Sequence, residues 1–323
     1  ARVDRLPQPP MSTFWQKGVA PSALVSQPIV EGNNVFTASQ DRHLYSLDRQ
    51  GGNQRWRAAI KEPSNYPVAV ASGQVFLIDN AGGVYQWRIS DESSLIQRQL
   101  TPPRAGLNLV DKYVIAAVDG LGESNDQVIL MDRESDDLSL DGAIADIEGN
   151  QLQYPAVGGQ LVFAANTDVH ALDVFGGLTR VWTYDAQARI TAPPVYAMPG
   201  VQALAELYIA DEAGNVEALD ANTGKRLWTR SNGGRVVTGM ALDETRLYIS
   251  GANFAGAIQR DDPEEGWLAN ISGVALSGPI VGSDALLVMT DTGDINFLQK
   301  ADGGGVTTIR EASGRGGQVT AAG

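Results

Sequence analysis

Leu207-Tyr-Ile-Ala-Asp-Glu-Ala-Gly-Asn-Val-Glu-Ala-Leu-Asp-Ala-Asn-Thr-Gly-Lys-Arg-Leu-Trp228 decides the fold. Leu207-Tyr208-Ile209 is an apolar run suited to a strand packed on both faces. Asp211-Glu-Ala-Gly214 is a tight turn that needs a positive φ at its glycine. Val216-Glu-Ala-Leu219 alternates in polarity, Asp220-Ala-Asn-Thr-Gly224 turns again, and Trp228 brings a large flat ring into the last strand.

The same phrase recurs along the chain. Aligned on the apolar residue before the second turn, the copies give Leu47, Trp87, Met131, Leu172, Leu219, Ile258 and Leu298, spaced 40, 44, 41, 47, 39 and 40 residues apart. Outside the anchors the copies share a proline-led first strand (Pro28-Ile-Val, Pro67-Val-Ala-Val, Pro155-Ala-Val, Pro194-Val-Tyr, Pro279-Ile-Val). Trp56, Trp182, Trp228 and Trp267 follow the anchors by nine or ten residues, placed to fill the wedge between one repeat and the next. A period in the low forties, built of strands and tight turns, predicts an all-β propeller of four-stranded antiparallel blades. No long 3.6-residue periodicity is present, so few helices are expected.

The two ends add half a repeat. Phe14-Trp-Gln-Lys-Gly18 reads as a fourth strand without its first three, and Gln318-Val-Thr-Ala321 as a first strand without its successors. Seven repeats plus a partial eighth blade shared by the termini is the favoured plan; a seven-bladed ring is the alternative. Residues 1–12 are expected to be an extended linker and 13–323 a single propeller domain, since no blade buries its faces without neighbours.

Composition limits the partners. Asp and Glu number 38 against 24 Lys and Arg, a formal charge of −14, which argues against nucleic acid and anionic lipid. The chain has no cysteine, which removes disulfides, thiolate catalysis and thiolate metal sites together. No stretch approaches the roughly 20 apolar residues of a membrane span, so the chain itself is not expected to insert. The Leu6-Pro-Gln-Pro-Pro10 segment leaves room for a tether upstream of residue 1. The chain is read as a monomer.

His43-Leu-Tyr-Ser-Leu-Asp48 and the Leu207–Trp228 phrase resemble the quinoprotein-type, or PQQ-like, propeller repeat. The resemblance runs from Trp15 to about Thr308, clearest in the fifth repeat and degenerate in the third and sixth. It implies one of three classes: quinone-dependent dehydrogenases, non-catalytic propellers such as the periplasmic lipoprotein of the outer-membrane β-barrel assembly machinery, and propeller domains of receptors and kinases. Large quinone enzymes carry a vicinal cysteine pair and a Ca²⁺ ion held by inserted loops; here there is no cysteine and the insertions are short. His43 and His170 fall in third strands beside the anchors, where a structural role is the simpler reading than that of a catalytic base. The expectation is therefore a non-catalytic interaction scaffold without cofactor or metal, periplasmic or at the cell surface. The alternatives are a ligand-sensing domain of a larger receptor or kinase, and a dehydrogenase holding PQQ with Ca²⁺.

Three arginines, Arg104, Arg189 and Arg235, occupy the connection from a fourth strand to the next first strand, with Tyr66 and Tyr154 in the same zone of two other repeats. In a propeller that zone faces the central funnel, so these residues are candidates to hold a carboxylate, a phosphate or an acidic peptide. The competing reading pairs each arginine with a local carboxylate. The acidic groups Asp261-Asp-Pro-Glu-Glu265, and Asp119 with Glu123 and Asp126, lack the ordered spacing of a calcium loop and read as solvated turns. Two insertions break the repeat, 120–126 and 197–206; the second carries Met198, Val201 and Leu204, unusually apolar for a loop. These are candidates for partner contact, with folding back on the sheet as the other outcome.

Overall fold

The computed structural model describes residues 15, 18, 21, 26–120, 125–148, 153–198, 204–305 and 307–310. The predicted linker 1–12, Phe14, Glu123, Val201 and Gln318–Ala321 lie outside them. Among the described residues there is no helix. Their strands form seven sheets, six of four strands and one of three, each strand bonded to its neighbour in sequence. This is a β-propeller, and its blades are the repeats read from the sequence.

The first sheet shows why. Ile29–Glu31, Asn34–Ser39, His43–Asp48 and Gln54–Ala59 run antiparallel in chain order. Val35 lies opposite the anchor Leu47, and Ser46 opposite Trp56. The register slips between Ser46 and Leu47, and does so again beside the anchors Trp87, Met131 and Leu219. In the first and fifth repeats the bulge, which bends the strand and increases its twist, lies immediately before the tryptophan. The glycines of the Asp turns take the left-handed conformation expected of them, at Gly214 (φ 82°), Gly224 (70°) and Gly293 (81°).

Of the described residues, 15–164 and 172–180 form one compact unit, and 165–171 with 181–310 form the other. Each follows the same packing rule. In the first, Val75 and Leu77 pack with Phe36 and Trp56, whereas Phe76 and Ile78 on the opposite face pack with Val114 and Val118. In the second, Leu247 and Ile249 join Tyr208 and Val216, while Tyr248 joins Leu286 and Val288. Successive strand side chains point to opposite faces, so a second strand with no polar position buries both faces of its sheet.

The sixth repeat departs from the rest. Arg246–Gln259 is one continuous strand, pairing first with Val237–Leu242 and then with Gly266–Val274. The Arg260 amide bonds to the Thr245 carbonyl, the rung that Arg49 makes with Asn33 and Ile89 with Gly73 elsewhere. The second and third strands are therefore present but joined by a bend at Asn253 (φ 63°).

Candidate functional site

Five tryptophans make one contact. The indole N–H donates to a carbonyl of the following repeat: Trp15 to Arg49 at 2.8 Å, Trp56 to Ile89 at 2.8 Å, Trp182 to Ala221 at 3.0 Å, Trp228 to Arg260 at 3.3 Å and Trp267 to Lys300 at 3.0 Å. Each acceptor stands two residues beyond its anchor. Gly52, Gly224 and Gly303 lie over the rings of Trp15, Trp182 and Trp267; a Cβ at these glycines would come within 2.4–2.6 Å of the indole. In the second repeat Ile96 stands opposite Gln86, where a tryptophan would be. The buried Gln86 supplies the missing donor itself, its Nε2 bonding to the Arg133 carbonyl at 3.0 Å.

At two of these acceptor positions the side chain also reaches back to the preceding repeat. Arg260 binds Glu206 through Nη2 at 2.7 Å and Nε at 3.1 Å, and its Nε also meets the Tyr208 hydroxyl at 2.9 Å. Lys300 binds Asp243 at 2.7 Å, and Asp243 accepts the Tyr248 hydroxyl at 2.8 Å. Burial opposes ionisation of Asp243, but the Lys300 ammonium and the Thr245, Tyr248 and Arg246 donors outweigh it and hold the carboxyl well below its usual range. Burial and the Asp243 carboxylate push the Tyr248 hydroxyl up; burial and Glu217, to which the Tyr184 hydroxyl donates at 2.6 Å, push Tyr184 up to about 12. Sequence reading missed these clips, because nothing in a repeat names the carboxylate that the next repeat's cation will reach.

The predicted site residues fall into separate groups. Arg104 binds the buried Asp126 at 2.8 Å and Asp119 at 3.0 Å, so the two carboxylates weighed as oxygen ligands hold an arginine. Tyr66 lies close by: its hydroxyl donates to the Pro103 carbonyl at 2.8 Å, burial raises its pKa and the Arg104 charge pulls it the other way. Arg189 and Arg235 both adjoin the Asp211–Gly214 turn. The Arg189 carbonyl accepts the Glu212 amide while its side chain stands 3.6 Å from Glu212, and Gly214 packs on Gly234 beside the exposed Arg235. Tyr154 lies in the strand Gln153–Gly158. Met198 is 78% exposed and Leu204 54%, so Leu204 does not fold back on the sheet.

The histidines take structural positions. The ring Nδ1 of His43 lies 2.9 Å from the Asp41 carbonyl, and that of the buried His170 lies 3.2 Å from the Thr183 hydroxyl. Among the described residues no three His, Asp or Glu side chains converge to hold a metal ion, and no helix is long and apolar enough to cross a membrane. A quinone with its Ca²⁺ therefore finds neither a cysteine pair nor a carboxylate cluster among the described residues that fits it.

Hairpin-connected sheets, forward-docked tryptophans and glycine-capped turns define a propeller of PQQ-like repeats. The model of the family described as outer membrane protein assembly factor BamB matches residues 6–211 and 212–315, and the chain belongs to this family. Outer membrane protein assembly factor BamB of Moranella endobia (strain PCIT) is 26% identical over 299 residues, 86% of this chain and 73% of that protein. The serine/threonine-protein kinase AfsK of Streptomyces griseus is 31% identical over 162 residues, 48% of this chain. The match to AfsK and to two further BamB proteins spans only 20–35% of those relatives' length. The crystal structure of BamB from Moraxella catarrhalis superposes with a TM-score of 0.66 at 16% identity, covering 86% of both chains, a likeness of fold.

Proposed function

We propose that this chain is a non-catalytic interaction scaffold that works outside the cytoplasm in outer-membrane protein assembly, as the name of its family describes. The observation that carries this reading is the pair Met198 and Leu204, which stand exposed at the two ends of the insertion between Val195–Ala197 and Glu206–Ala210. Exposed apolar side chains held on a rigid sheet are a usual means of contact with another protein. The histidine positions and the absent cysteines support a reading without a quinone.

A photoreactive residue placed at 198 or 204 in the native cells tests it, with the exposed Asp136 as control position. Cross-links from 198 and 204 to a component of the outer-membrane protein assembly machinery, absent at 136, are expected. Equal yields at all three positions would overturn the docking surface. Calorimetric titration with PQQ, with and without Ca²⁺, and a dye-coupled alcohol and sugar oxidation assay are expected to give neither heat nor turnover. Tight binding with turnover would make the chain an enzyme.

A second reading, a sensing domain of a larger kinase or receptor, draws on the similarity to AfsK and on the exposed Arg235, which has no carboxylate partner among the described residues. Phosphate binding that disappears in Arg235→Ala would favour it.

A further inference from the structure

We propose that Met198 is an oxidation switch on the docking surface, an inference that rests on the scaffold reading above. The chain has five methionines and no cysteine, so thioethers are its only readily oxidised sulfur. Met131 is fully buried and Met240 and Met289 are each 8% exposed, packed in the sheets. Met198 is 78% exposed and is the accessible thioether among the described residues. Oxidation follows access, because the oxidant must reach the sulfur lone pair.

The step balances with hydrogen peroxide as the oxidant. The sulfur donates an electron pair to one peroxide oxygen, the O–O bond breaks, and the proton on the transferred oxygen passes to the departing hydroxyl, so that S=O forms and water leaves. Sulfur is oxidised by two electrons and peroxide reduced by two. The product is polar and chiral where the thioether was flexible and apolar, which removes the property that suits Met198 to a partner's apolar surface. The sulfoxide is reducible by methionine sulfoxide reductases, so the switch resets.

The test has two readouts. Peptide mass mapping of the folded chain after dilute peroxide is expected to show sulfoxide at Met198 at least about tenfold faster than at Met131, Met240 or Met289. Cross-linking from position 204 is then measured before and after peroxide. Yield is expected to fall about tenfold or more, as for the loss of one buried apolar side chain, and to be unchanged by peroxide in Met198→Leu. Met198 reacting no faster than the buried methionines would overturn the proposal. So would full oxidation with an undiminished cross-link, and that result would leave the docking surface standing. No cross-link from the unoxidised chain would sink the docking surface itself, and the switch with it.

Discussion

Arg260 closes on Glu206 across 54 residues, with Nη2 2.7 Å from Oε2, and the same residue's carbonyl receives the indole of Trp228. One position thus fastens the sixth repeat to the fifth twice. The two side chains are 16% and 17% exposed, so the pair is mostly shielded from water. Glu206→Ala is expected to lower unfolding free energy by about 3 kcal/mol, since it leaves a shielded guanidinium without its charge partner. Arg260→Met with Glu206→Leu is expected to cost clearly less than the sum of the single changes. Urea unfolding of the cycle checks this; additive losses would mean that the pair is not coupled.

The third repeat lacks the equivalent pair. Arg133 stands two residues past its anchor, as Arg260 does, and Gln74 opens the second strand of the preceding repeat, as Glu206 does for Arg260. Nε and Nη1 of Arg133 are buried without an acceptor among the described residues. Gln74→Glu supplies one and is expected to stabilise the chain by about 1 kcal/mol. A denaturation midpoint that stays put or falls would show that Arg133 is satisfied in another way.

Gln86 substitutes for an indole. Its loss should show in the carbonyl it serves: Gln86→Leu leaves the Arg133 oxygen without its closest donor and is expected to cost about 1–3 kcal/mol. Calorimetric unfolding beside Trp56→Ala, expected to cost about 3–5 kcal/mol for the lost ring, places the two fastenings on one scale.

Gly303→Ala combines two penalties. The backbone sits at φ 71°, and the new Cβ would lie 2.4 Å from the Trp267 ring. A loss of about 2 kcal/mol is expected, with a changed near-ultraviolet signal from the displaced indole. Gly233, with φ 63° and nothing within 4 Å of its Cβ position, serves as control, and Gly233→Ala should cost only the backbone strain.

Asp243 gives stability a sign with pH. Its folded pKa lies below the ordinary 3.8, so the unfolded chain takes up the proton first as pH falls. The stabilisation is complete above the unfolded value and drains away below about pH 5. Asp243→Asn should be less stable at pH 7 and show a shallower fall in stability below pH 5. Parallel curves for the two chains would assign the acid sensitivity elsewhere.

The blade plan was legible because it is written in side chains that have one use: Trp56, Trp182 and Trp267 had to dock, and Gly214 and Gly224 had to turn. The acceptors were not legible, since a carbonyl has no residue letter, and Gln86 hides among ordinary strand glutamines. Arg104 shows the limit for the site. Asp119 and Asp126 are 15 and 22 residues away and come within reach only when the hairpin Tyr113–Asp119 to Asn125–Asp132 forms. The exposure of Leu204 depends likewise on how an insertion leaves its sheet, which local pattern does not encode.

The tryptophan fastenings all run the same way along the chain, each ring waiting for a carbonyl made 32–39 residues later. A chain emerging from a ribosome or a translocation channel can lock each sheet as soon as the next one arrives. No tryptophan then has to search the whole polypeptide for its place. Contacts that link only successive repeats permit assembly in chain order, with one indole at a time awaiting its carbonyl.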